Sequence, residues 1–72
     1  MGLFSLALNS ARDLLMVQLE ALYDGEKRLA DALPAMLRAA RAPELQLALS
    51  IHQEQTQRHI ARLEEVFGRL GS

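Results

Sequence analysis

The chain has 72 residues, half of them apolar, with eight basic and nine acidic side chains for a formal net charge of −1. That length allows one small domain at most, and the interspersed charges leave no basic stripe to meet nucleic-acid phosphates. With no cysteine, disulfides, thiolate metal sites and cysteine nucleophiles are excluded.

The N-terminal run GLFSLAL is far too short to span a bilayer. It lacks the basic start and small-residue cleavage site of a signal peptide, so a cytoplasmic location is expected. Leu6 stands where a myristoylation motif needs Ser or Thr. Residues 1–9 are expected to form an apolar lead-in of no more than one or two loose helical turns. Beyond them, abundant Ala, Leu, Glu, Gln and Arg with few β-branched residues predict an all-helical domain over 10–72.

Ser10 with Asp13 three residues on resembles a capping box, with Asn9 just before it, which predicts a first helix from near Ala11. Its apolar positions are Leu15, Leu19, Leu22, Leu29, Leu33, Met36 and Ala40, at the alternating four and three spacing of a helix packed along its length. Pro34 interrupts the backbone hydrogen bonds without interrupting the stripe, so it predicts a kink rather than an end. Arg41-Ala42-Pro43-Glu44 is the break: Pro suits a first helical turn, Glu suits its positive end, and Ala42 is pushed out of helical geometry. A second helix follows with Leu45, Leu49, His52, Thr56, His59, Leu63, Val66 and Leu70 in the same alternation, and Gly71 as its stop. Two long helices joined by so short a turn must form an antiparallel hairpin.

The second stripe is apolar except at His52, Thr56 and His59. The first breaks at Glu26, four after Leu22 and three before Leu29. In a hairpin turning near residue 41, Glu26 is expected level with Thr56, between the two histidines. A carboxylate in a helical core is costly unless paired or bound to metal, and imidazole with carboxylate suits iron, manganese or zinc. Glu26, His52 and His59 are therefore the candidate metal ligands. The alternative is a metal-free polar pair that fixes register, as polar seam residues do in coiled coils. Tyr23, Met16 and Met36 read as packing, and Glu54, Arg58, Glu64 and Glu65 as a solvated face. Gly25, in a helix interior, costs about 1 kcal/mol relative to Ala.

The segments LEALYDGEKRLADALPAMLRAA and APELQLALSIHQEQTQRHIARLEEVFGRLG resemble the first half of the YciF-type ferritin-like proteins over residues 13–71. The resemblance implies a four-helix bundle with a dinuclear metal site at mid-height, built from two hairpins, and with it a ferroxidase-like activity and a stress-response role. It matches Glu26 to the glutamate of the first helix and His52 to the histidine of the second. Leu49 and Gln55 stand where the family pattern has acids, and the second hairpin is missing. A lone hairpin of this length cannot bury both faces of its helices. The expected partner is a second copy, giving a two-fold homodimer that imitates the whole bundle or a higher oligomer of such dimers; for a fragment of a longer chain, the natural partner is instead its own missing half.

Overall fold

A computed structural model describes residues 2–71, which form two helices, α1 (Leu3–Ala39) and α2 (Pro43–Arg69). They lie antiparallel in a rod of 60 × 16 × 16 Å, and the described residues contain no strand. The helical hairpin is as expected, but its first helix begins at Leu3 rather than near Ala11. Residues 3–9 are helical and continuous with α1, and Met1 lies outside the described residues. Leu, Ala and Phe tolerate helix well, and no Gly or Pro lies between Leu3 and Asp24 to stop it. A capping-box pattern starts a helix only where the preceding residues leave the helical conformation. Here the cap is Gly2, extended at φ −140°, with no side-chain hydrogen bond.

α1 continues through Pro34. The missing donor there is offset by packing, since the adjacent Leu33 is 1% exposed and its burial contributes about 1.5–3 kcal/mol. Ala40 and Ala42 are both extended, at ψ 129°, and Pro43 and Glu44 occupy the first turn of α2. The Gln46 side chain braces the turn by donating from Nε2 to the Ala40 carbonyl at 2.8 Å. At the open end, Arg12 donates from Nη2 to the Leu70 carbonyl at 2.6 Å. Gly71 takes φ +80°, a left-handed conformation that ends α2 without a side-chain clash.

The contact between the helices is rotated by about one position from the expected stripes. On α2 it runs through Leu49, Gln53, Thr56, Ile60, Leu63, Phe67 and Leu70, so Gln53, Ile60 and Phe67 take the places foreseen for His52, His59 and Val66. On α1, Met16, Tyr23 and Leu37 turn inward, while Leu15, Leu22 and Met36 stay exposed. Both readings of α2 share Leu49, Thr56, Leu63 and Leu70. The larger apolar area of Ile60 and Phe67 over His59 and Val66 decides between them. His52 and His59 therefore stand on the flank of the hairpin, exposed, and not in its seam.

Candidate functional site

Glu26 reaches one flank of the hairpin from α1, and His59 reaches it from α2. The His59 Nδ1 lies 3.5 Å from Glu26 Oε2, with the two side chains 56% and 19% exposed. That separation permits charge attraction, but no hydrogen bond forms: Oε2 is a buried oxygen with no donor. An open groove of about 320 Å³ surrounds the pair, lined by Leu22, Glu26, His59, Arg62, Leu63 and Val66. Glu26 is thus level with His59, not with Thr56, which is buried in the seam at 1% exposure.

Of the three residues singled out in the sequence, two come together. His52 is exposed and stands seven residues from His59, roughly 10 Å of helix rise toward the turn. No group of three or more His, Cys, Asp or Glu is positioned to hold a metal ion among the described residues. One carboxylate and one imidazole are a fitting donor pair for a divalent transition metal, and an undonated carboxylate oxygen is what such an ion satisfies. Two donors are too few to close a site, so the residues fit the group only when a second set is brought to them.

The opposite flank carries a constellation that the sequence reading passed over. The Tyr23 hydroxyl donates to Glu64 Oε2 at 2.8 Å. Its ring meets Phe67 edge to face, centroids 5.6 Å apart, and Lys27 Nζ lies 5.9 Å from the Tyr23 ring centre. The hydrogen bond to Glu64 raises the Tyr23 pKa above its ordinary 10.0, helped by burial and by the carboxylate's charge. Glu64 reads from sequence as one of several solvated acids. Its position across the hairpin from Tyr23 was the available signal, since pairs joined here have residue numbers with nearly equal sums. The pairs Arg28–Asp24 at 3.1 Å and Arg69–Glu65 at 2.9 Å are exposed one-turn contacts that contribute little.

Among the described residues no helix is long and apolar enough to cross a membrane. Neither a curated protein nor a solved structure matches the chain. Residues 10–72 match the family described as Domain of unknown function (DUF892), and the chain belongs to it.

Proposed function

We propose that the hairpin is half of a ferritin-like four-helix bundle of the YciF type, completed by a second copy, and that it binds a divalent metal at mid-height. The observation that carries this reading is the buried Glu26 oxygen with no donor, on a side chain that lines a groove together with His59. Glu26 is also midway between Arg12 and Ala40, the limits of its paired stretch. At that height a two-fold axis across the bundle brings a residue near its own copy. Two copies supply two carboxylates and two imidazoles, a number of donors that holds iron, manganese or zinc. Glu26 supplies the anionic oxygen and His59 the nitrogen beside it, while His52, roughly 10 Å further along α2, stays outside this site. A bound ion would supply the Lewis-acid or redox chemistry that these side chains lack.

Metal analysis of protein purified without chelators tests this reading. Stoichiometric metal is expected in the native protein, and its loss in Glu26→Gln, because that substitution removes the carboxylate that each chain brings to the groove. Chelation should lower the melting temperature by linkage. Full binding by Glu26→Gln would show that the ligands are wrongly named. The exposure of His52 favours a second reading, a metal-free pair that sets the register of a helical assembly. That reading requires no bound metal and no chelator effect.

A further inference from the structure

α1 carries two stripes, and the hairpin uses one of them. Adjacent to the inner stripe, a second one repeats a long apolar side chain every seven residues: Leu8, Leu15, Leu22, Leu29 and Met36. Three residues after each stands Ala11, Gln18, Gly25, Ala32 or Ala39, small at every step but Gln18, and all five are exposed. Four of the five long residues are exposed as well. Gly25 adds an independent observation: a Cβ placed there would meet nothing within 4 Å. The hairpin thus gives no steric reason for a residue that costs about 1 kcal/mol in a helix interior.

We infer that this ladder is the contact with a second copy of the chain, lying antiparallel along α1 with the two-fold axis beside Tyr23 and Asp24. The inference rests on the pairing of copies proposed above and not on the metal. Its register sets the ladder ends, Leu8 and Ala39, opposite each other. Leu15 then meets Ala32, Leu22 meets Gly25, Leu29 meets Gln18 and Met36 meets Ala11 of the second copy. Long faces small at four of the five rungs, Leu29 opposite Gln18 being the exception, so the two helices approach closely along most of the ladder. A parallel pairing would set leucine on leucine and alanine on alanine, alternately bulging and gaping. The ladder extends over about 48 Å of helix, and with flanking residues such as Leu14 and Ala35 engages about 20 residues a side, the scale of a stable interface. In this register the Leu3–Ala7 turns of α1 lie against the turn of the second copy. The register also sets the two Glu26 about 7.5 Å apart along the helices, within reach of one mid-height site.

Paired cysteines test the register, since the native chain has none. Leu15→Cys with Ala32→Cys places two thiols about 25 Å apart on one helix, beyond closure within a chain. Mild oxidation should therefore yield a covalent dimer, with helicity unchanged. Leu15→Cys with Met36→Cys, which a leucine-on-leucine register would link, should stay unlinked. Linking of the second pair instead of the first, or of neither, overturns the inference. Gly25→Leu should keep its helicity and weaken dimerisation about tenfold or more; undiminished dimerisation overturns the inference too. A dimer linked through 15 and 32 that takes up no metal leaves the register standing and removes the metal reading. A metal-loaded dimer linked through 15 and 36 does the reverse.

Discussion

The two flanks of the hairpin each set a glutamate from one helix beside a ring from the other, and they resolve it differently. On one, Tyr23 donates to Glu64 at 2.8 Å, and the carboxylate has its hydrogen bond. On the other, Glu26 approaches His59 at 3.5 Å, and its inner oxygen has none. The first flank is complete within one chain. The second has polar and apolar groups that one chain leaves unpaired, and the Leu/small ladder of α1 borders it through Leu22, which lines its groove. A carboxylate in a half-buried position is informative through what it lacks, because an unsatisfied acceptor costs about 1–3 kcal/mol.

Both flanks rest on one seam, and the largest effect should come from breaking it. Leu33→Ala should cost about 2–5 kcal/mol, read as a fall in denaturant midpoint; a loss below about 1 kcal/mol would show that the seam lies elsewhere. The next effect separates the flanks by sign. In metal-free buffer, Glu26→Leu should stabilise the fold by about 1 kcal/mol, because it removes an undonated oxygen and adds apolar contact, whereas Glu64→Leu should lower the melting temperature. Equal signs would erase the distinction.

Smaller still is Tyr23→Phe, which leaves the edge-to-face contact with Phe67 and deletes the donor to Glu64. It should lower the melting temperature slightly at neutral pH and alter the alkaline limb. The Tyr23 pKa is raised in the folded state, so the folded protein holds this proton more tightly than the unfolded chain does. The resulting stabilisation is fully present below the ordinary value of 10.0 and is lost as pH rises through the higher folded value. A pH titration of the melting temperature should show that decline in the native chain and not in Tyr23→Phe. An identical alkaline limb in both would remove Tyr23 as its source.

Much of this architecture was legible in the amino-acid sequence. Ala42-Pro43-Glu44 marks the turn because Pro restricts both itself and its predecessor, and Gly71 marks the end because only a residue without Cβ accepts its φ freely. The seam was legible to within about one position. Each helix carries two overlapping stripes of the same alternation, so periodicity alone cannot say which one meets the other helix. That ambiguity placed His52 inward. A turn centred near residue 41 sets Thr56 at the height of Glu26, whereas the pairs Ala40–Gln46, Glu26–His59 and Tyr23–Glu64 centre it about two residues later. The ambiguity also hid Tyr23–Glu64, since a glutamate is read as solvated until a donor is known to lie across from it. The start of α1 was misplaced for a different reason: Ser10 and Asp13 can cap a helix, but residues that are themselves good helix formers precede them and carry the helix on.

The turn at Ala40–Ala42 has a kinetic consequence. Beside it, Gln46 contacts Ala40 across six residues of chain, whereas at the far end Arg12 contacts Leu70 across 58. Each contact farther from the turn encloses a longer loop if made alone, but only a short one if its neighbours have already closed. The rod should therefore zip from the turn outward and fray from the open end. Amide exchange should slow progressively along both helices toward residue 41, with the slowest protons near Leu33 and Leu49 and the fastest in the overhanging turns of α1. Lengthening the turn with glycines would slow the first step and leave the later ones unchanged, so folding rate should respond to the turn more than to any contact at the open end.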